Sequence, residues 1–127
     1  MALFVASRRE GDWTVMEVRG VLDSETAPEL RACAATAAER SRRPLRLVVD
    51  LTELSYCDVD GLSTLIAVRT ALQTEEGELR LVCPAGRVLR ILRISRLTDA
   101  LPVHPTLEAA LAARGPAHVD HPGDVAQ

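Results

Sequence analysis

The residues of this chain most able to do chemistry lie together at Cys57-Asp58-Val59-Asp60-Gly61. A thiol, two carboxylates one residue apart and a glycine could cap a helix, hold a cation or present a reactive thiolate. We expect a helix to begin here, so that Asp58 is its N-cap and Asp60 meets the positive end of the helix dipole. Gly61 has no side chain, which would permit close approach of a sheet or of a partner.

Metal and redox roles for this segment are the less favoured interpretations. Asp58 and Asp60 alone do not make a hard-cation cage, and no further acidic ligand is close in sequence. Cys57 beside a helix N-terminus could have a lowered thiol pKa, but a small buried residue at a strand end is favoured. His118 and His121 lie in a Pro/Gly segment with no Cys or third His to complete a zinc site. We expect neither a metal nor a cofactor.

The elements that must position this segment are strands and helices that alternate along the chain. Patterns typical of strands cover 3–9, 13–18, 45–51, 78–83 and 101–103, and 20–23 extends the second of them. Patterns typical of helices cover 26–40, 59–73, 84–95 and 107–113, and Pro84-Ala85-Gly86 opens the third of them. This order implies parallel strands with right-handed crossovers. We predict an α/β fold, a mixed sheet of about four or five strands with about four helices.

The first helix carries its own start signals. Thr26 and Glu29 fit a capping box, in which each side chain would satisfy a backbone N–H of the first turn. Pro28 falls in the first turn, where its missing N–H is tolerated. Small residues then recur on one face, which would let this helix lie close to the sheet.

Composition narrows the class of protein. A length of 127 residues favours one domain, and 47% apolar residues argue against global disorder. A net charge of −3 and only three aromatic residues argue against a nucleic-acid or membrane partner. Three widely spaced cysteines without a C-x-x-C indicate reduced thiols, and we expect a cytoplasmic protein. The domain is predicted to span 1–114, with 115–127 as a flexible tail.

Three stretches in a particular order carry a family resemblance. They are Gly20-Val21-Leu22-Asp23 with Thr26-Ala27, then Val48-Val49-Asp50-Leu51 with 54–62, then Arg87-Val88-Leu89-Arg90 with Leu97. They resemble the G-x-L-D segment, the central strand with its D-S-S-G-L turn, and the penultimate helix of anti-sigma factor antagonists of the STAS (sulfate transporter and anti-sigma antagonist) family. The resemblance covers nearly everything from Leu3 to Ala113.

This resemblance implies a STAS fold and a non-catalytic protein-binding module of a bacterial partner-switching circuit. Family members bind an anti-sigma factor of the ATPase-kinase fold and thereby free a sigma factor. That partner is also a kinase, which phosphorylates a serine in the D-S-S-G turn, and the added charge ejects the antagonist. The partner-binding residues implied here are Leu22, Asp23, Asp58, Val59, Asp60, Gly61, Leu62 and Ser63.

The turn departs from the family pattern at the position that this mechanism needs. Aligned on Gly61, the family's acceptor serine falls on Val59 and its second serine on Asp60. Valine has no hydroxyl, so we expect the usual phosphorylation switch to be absent. Either the domain is locked in its binding-competent form, or Asp60 partly mimics the phosphorylated form. The first interpretation is favoured because the helix N-terminus can neutralise Asp60. Other hydroxyls nearby are those of Ser55, Ser63 and Thr64.

Other functional classes have less support. A STAS scaffold protein of another signalling complex is the nearest alternative, and a homo-oligomer is possible but not predicted. Asp50 ends a buried strand as in a phospho-accepting receiver domain, but such domains need a lysine and this chain has none. Enzyme motifs are missing. For Arg87, Arg90, Arg93 and Arg96, a solvated basic face is favoured over a surface for an acidic partner or a self-contact.

Overall fold

The computed structural model describes residues 2–41, 44–96, 99 and 101–113. In chain order, the elements are β1 Leu3–Glu10, β2 Trp13–Leu22, α1 Ala27–Arg40, β3 Arg46–Asp50, β4 Leu54–Cys57, α2 Val59–Thr74, β5 Glu78–Val82, α3 Arg87–Ile94, β6 Val103–His104 and α4 Leu107–Ala112.

The strands form one mixed sheet in the order β1-β2-β3-β5-β6, with β4 also paired to β2. The β1–β2 hairpin is antiparallel, and the other strand pairs are parallel. β2 is ten residues long and has two partners on the same side. Thr14–Glu17 pairs with β3, and Gly20–Leu22 pairs with β4. One strand therefore runs from the amino edge of the parallel strands to their carboxyl edge.

Helices cover the two faces of the sheet unequally. Met16 and Val18 of β2 pack in the larger core with α1, α2 and α3, whereas Trp13 and Val15 face the opposite side with α4. The larger core is almost wholly aliphatic, as the scarcity of aromatic residues required. Alternation along β2 therefore separates one large core from one small core.

A buried arginine holds α4 against the small core. Arg80 is 1% exposed, and its guanidinium donates to the backbone oxygens of Ala110 at 2.6 Å and Ala113 at 2.9 Å. It also donates to the carboxylate of Glu78 at 2.8 Å and lies 4.4 Å from the ring centroid of Trp13. These contacts satisfy a charge that burial would otherwise penalise heavily.

The structure confirms the predicted mixed α/β sheet with four helices in the described residues. The sheet has six strands rather than four or five, because β4 forms from residues 54–57, which the sequence pattern did not predict as a strand. β4 is four residues long, and its two exposed residues lie between two buried ones, so it lacks the alternation typical of strands.

The last strand lies slightly later than its sequence pattern indicated. β6 contains Val103 and His104, whereas Pro102 only accepts, through its carbonyl oxygen, a bond from the N–H of Leu81. Proline has no N–H to donate to a ladder, which displaces the pairing towards the C-terminus. The predicted tail 115–127, His118, His121 and Leu97 lie outside the described residues. Within the described ranges, none of the helices is long and apolar enough to cross a membrane.

Candidate functional site

The turn at the start of α2 is built on the side chain of Asp58. β4 ends at Cys57, and Asp58 is extended, with φ −100° and ψ −174°. Its carboxylate accepts the N–H of Gly61 at 2.8 Å, which confirms the predicted N-cap. Its own backbone N–H donates to the carbonyl oxygen of Leu22 at 3.2 Å. The turn is therefore tied both to its own helix and to the end of β2.

Gly61 lets α2 approach β2 closely. A Cβ atom at this position would lie 2.6 Å from the carbonyl oxygen of Leu22 and 2.8 Å from its Cγ. Leu22 is wholly buried, so neither its backbone nor its side chain can move aside freely. The expectation that a glycine here permits close approach of the sheet is confirmed.

A second capped loop lies beside the first, because Leu22 and Cys57 are register partners in the β2–β4 pair. Asp23 accepts the backbone N–H groups of Glu25 at 2.9 Å and Thr26 at 3.1 Å. The hydroxyl of Thr26 donates to the oxygen of Val21 at 2.8 Å and accepts the N–H of Asp23 at 2.9 Å. Both loops are thus fixed by short polar side chains.

The predicted capping box of α1 is wrong. Thr26 stands at the N-cap position but has helical backbone angles, and its side chain makes no cap bond to the helix. The hydroxyl is used instead on β2 and on Asp23, while Glu29 stays exposed in the first turn. Pro28 does lie in the first turn, as predicted.

Exposure divides the eight sequence-implied binding residues into three groups. Leu22, Gly61 and Leu62 are buried, so they shape the turn from beneath. Asp23 and Asp58 are half-buried, and Val59, Asp60 and Ser63 are exposed. The side chain of Val59 is 62% exposed, which is unusual for a branched apolar residue.

Tyr56 is a surface residue that the sequence analysis missed. It is 44% exposed and lies in β4, two residues before the N-cap. The signal available was its rarity, since it is one of three aromatic residues in the chain and the one next to the turn. We use the name turn surface for Asp23, Tyr56, Asp58, Val59, Asp60 and Ser63.

The remaining hydroxyls near the turn differ in availability. Ser55 donates to the carbonyl oxygen of Gly20 at 2.8 Å, and Thr64 is 1% exposed and donates to the oxygen of Asp60 at 3.0 Å. Ser63 is exposed. Ser55 is also exposed but its hydroxyl is already bonded, so Ser63 is the exposed residue of the three for which no hydrogen bond of the hydroxyl is seen among the described residues.

The thiol beside the turn is a packed core group. Cys57 is fully buried, and burial, together with the neighbouring Asp58 carboxylate and Cys83, raises its pKa to about 12. A raised pKa is the opposite of what a reactive thiolate requires. The interpretation of Cys57 as a small buried residue at a strand end is confirmed.

Two further candidates from the sequence have ordinary surroundings. The carboxylate of Asp50, considered for a receiver domain, accepts the N–H of Thr52 at 3.0 Å and its hydroxyl at 2.5 Å. The carboxylate of Asp58, considered for a metal, is occupied in capping. Among the described residues there is no group of three or more His, Cys, Asp or Glu that could hold a metal ion. The arginines at 87, 90, 93 and 96 are exposed along α3 and just after it.

A model of the STAS domain family matches residues 4–110 of the chain. The chain belongs to the STAS family. The anti-sigma-B factor antagonist of Listeria monocytogenes is 30% identical over 95 residues, which are 75% of this chain and 82% of that protein. The anti-sigma-F factor antagonist RsfA of Mycobacterium tuberculosis is 29% identical, over 78% of this chain and 77% of its own length.

Solved structures agree with this assignment. An anti-sigma factor antagonist from Mycobacterium paratuberculosis superimposes with a TM-score of 0.75 and 28% identity. The match covers 87% of this chain and 92% of that one. The two capped loops therefore lie on a STAS fold, which this chain shares with proteins named as anti-sigma factor antagonists.

Proposed function

We propose that this STAS protein, a domain of about residues 1–114, acts in the cytoplasm by binding an anti-sigma factor of the ATPase-kinase fold and thereby freeing a sigma factor. It does so without catalysis. The observation that carries the proposal is the turn surface, which combines exposed apolar side chains with a backbone fixed by two capped loops. A preorganised surface loses little entropy on binding, so its contacts contribute more fully to affinity.

The apolar part of this surface suits a protein partner. Val59 and Tyr56 are two of the four large apolar side chains that stand out as exposed in the described chain. They flank the Asp58 cap on the same short segment, and aromatic and apolar side chains fixed in this way are typical anchors of interfaces. Leu22, Gly61 and Leu62 support them from the core.

The polar part indicates the charge of that partner. Asp23, Asp58 and Asp60 supply three carboxylates within the turn surface. A partner that docks here must present basic groups, because like charges at the interface cost affinity. Asp23 and Asp58 each use a carboxylate oxygen on backbone N–H groups, so Asp60 is the carboxylate most available to a basic partner.

The side chain at 59 determines how this surface is regulated. The family's acceptor serine corresponds to Val59, which is exposed and cannot accept a phosphoryl group. We propose that the protein stays in its binding-competent form and is not ejected by the kinase. Asp60 carries a single charge in the first turn of α2, where the helix dipole offsets it, and this is less than the nearly two charges of a phosphate.

Calorimetric titration against anti-sigma factors of the ATPase-kinase fold encoded in the same genome tests the binding. We expect one such protein to bind, and Val59→Asp to weaken it by about tenfold or more, since a charge would replace a buried apolar contact. The control is Ile94→Asp, which changes an exposed residue on α3 and should leave affinity unchanged. A control at a buried valine such as Val68 would disturb the core instead. Failure to bind any of them would favour a scaffold role in a multi-STAS complex.

Kinase treatment followed by mass spectrometry tests the regulation. Wild-type protein should remain unmodified, whereas Val59→Ser should gain one phosphate and then lose affinity for the kinase. Val59→Ala is the matched control, because like Val59→Ser it removes both methyl groups of the valine but it supplies no hydroxyl. A phosphate within residues 55–64 of the wild type would overturn the locked state.

A further inference from the structure

At the amino edge of the sheet, far from the turn surface, the β1–β2 hairpin and α1 enclose a cleft of about 510 Å³. Its walls are formed by Val5, Ser7, Arg8, Arg9, Thr14, Ala32, Cys33, Thr36, Ala37, Arg40 and Ser41. A smaller cavity of about 180 Å³ adjoins it and shares Arg9, Thr14 and Ser41. We name the two together the Thr14 cleft.

A buried hydroxyl marks the floor of this cleft. Thr14 is only 7% exposed, yet its hydroxyl makes no hydrogen bond within the part of the chain that the structure describes. Buried polar groups are nearly always hydrogen-bonded, and leaving one unpaired costs free energy. A hydroxyl in this state beside open space indicates that a bound molecule supplies the partner.

Two arginines give the cleft its charge. Arg9 is the register partner of Thr14 across the hairpin, and Arg40 is the last residue of α1. Both are exposed, and neither forms an ion pair with a described residue. Arg9 makes one long bond, 3.3 Å to the carbonyl oxygen of Gly11. By contrast, the guanidinium of Arg8 is occupied by Glu10 and Glu17.

The other wall of the cleft is apolar, which indicates that part of the bound molecule is apolar too. Val5 of β1 and Cys33 and Ala37 of α1 are buried or half-buried there. The acidic group on the margin is Asp12, which lines only the smaller cavity. We propose that the Thr14 cleft binds a small amphipathic oxyanion, whose head group contacts Arg9, Arg40 and the Thr14 hydroxyl and whose apolar body lies along α1.

This site is separate from the proposed protein interface. Thr14 and Leu22 lie eight residues apart on the extended strand β2, which separates the two ends by about 26 Å. A ligand in the cleft would therefore not compete directly with a partner at the turn surface, and its binding does not depend on the proposed function.

Hexanoate is the first probe, and its two halves, acetate and 1-hexanol, are the controls. Titrations followed by amide chemical shifts should place hexanoate at Thr14, Cys33 and Arg40, with acetate and hexanol at least about tenfold weaker. Hexyl phosphate distinguishes the head groups, since two arginines and a hydroxyl can bind either oxyanion. If hexanoate binds no better than either half, or shifts residues elsewhere, the proposal is wrong.

Variants assign the affinity to the named groups. Arg9→Gln with Arg40→Gln should weaken hexanoate by about tenfold and leave hexanol unchanged. Thr14→Val, which keeps the shape of the side chain, should weaken hexanoate by about threefold to tenfold. Arg31→Gln removes the same charge from α1 outside the cleft and should change nothing. An equal loss from Arg31→Gln would mean that only net charge is being sensed, and would overturn the site.

Cys33 supplies an independent reporter because it lines the cleft and is partly exposed, whereas the other two cysteines are buried. Hexanoate should slow its alkylation by iodoacetamide by about fivefold or more at saturation, and the double arginine variant should lose that protection at the same concentration. Equal protection in the wild type and the double variant would overturn the proposal.

Discussion

The two ends of strand β2 differ in how their polar groups are satisfied. At the carboxyl end, Asp23, Thr26 and Asp58 accept or donate hydrogen bonds that fix two loops. At the amino end, the Thr14 hydroxyl and the guanidinium groups of Arg9 and Arg40 have no side-chain partner among the described residues. A surface whose polar groups are already hydrogen-bonded within the fold is rigid and suits a protein contact. A surface with polar groups that lack such partners suits a ligand that supplies them.

The thiols follow the same division. Cys57 ends β4 and Cys83 follows β5, so both lie at the carboxyl edge, and both are buried. Burial raises the pKa of Cys83 to about 11, with a smaller contribution from the Asp50 carboxylate. Cys33 lies in the Thr14 cleft and is partly exposed. Of the three thiols, the one that a reagent in solution can reach therefore lies in the cleft at the amino end of β2.

The largest predicted effect is the dependence of stability on alkaline pH. The pKa values of about 12 for Cys57 and about 11 for Cys83 lie above the ordinary 9.0, so between pH 9 and 11 the folded state keeps protons that the unfolded chain has lost. The free energy of unfolding should therefore fall with rising pH, by about 1.4 kcal/mol per pH unit for each thiol. Urea unfolding from about pH 8 to about pH 10.5 measures this slope.

Two alanine variants distinguish the ends in that experiment. Cys57→Ala should remove about half of the slope, because one of the two buried thiols is gone. Cys33→Ala should leave the slope unchanged. If the slope is the same in all three proteins, the carboxyl-edge thiols are not the groups that titrate.

The second prediction compares glycines in the turns at the two ends. Gly61→Ala places a Cβ 2.6 Å from the oxygen of Leu22, and we expect a loss of about 2–3 kcal/mol in the free energy of unfolding. Gly11→Ala has no atom within 4 Å, although its φ of 61° disfavours a side chain, so about 1 kcal/mol should be lost. Urea midpoints at constant m-value report both, and equal losses would refute the close helix–strand contact.

The third prediction concerns the carboxylates of the turn. Asp58→Ala removes the bond to the Gly61 N–H and should lower the free energy of unfolding by about 1 kcal/mol. Asp60→Ala removes only a charge from the first turn and should cost less than about 0.5 kcal/mol. Thermal unfolding of the two variants checks the order. Asp60→Ala proving the more damaging would mean that the cap is misassigned.

Features that depend on near neighbours in the sequence were predicted correctly, whereas features that depend on contacts between distant residues were not. The start of α2 at an aspartate cap was predictable because capping is a contact between near neighbours. The Thr26–Glu29 box was an equally good pattern, but the hydroxyl of Thr26 bonds to β2 instead. β4 was missed because its four residues lack the alternation typical of strands, and it forms through pairing with the distant end of β2.

Burial of polar residues was the least predictable property. Nothing local distinguishes Arg80, which is 1% exposed, from the exposed arginines of α3, because its partners Ala110 and Ala113 lie thirty or more residues away. The same holds for Thr14, which lines the cleft together with Arg40 of another element. The exposure of Val59 and Tyr56 at the turn likewise depends on where α2 and β4 meet. Pattern alone therefore located the turn surface but not the cleft.

The fourth prediction tests the comparison most directly, because it uses one buried threonine from each end of β2. Thr26→Val removes a hydroxyl that donates to Val21 and accepts from Asp23, and should lower the free energy of unfolding by about 1–2 kcal/mol. Thr14→Val removes an unpaired hydroxyl, so the ligand-free protein should gain about 0.5 kcal/mol. Urea unfolding of both variants gives the signs. A loss of stability in both would show that the Thr14 hydroxyl is satisfied within the fold, and the two ends of β2 would then no longer differ.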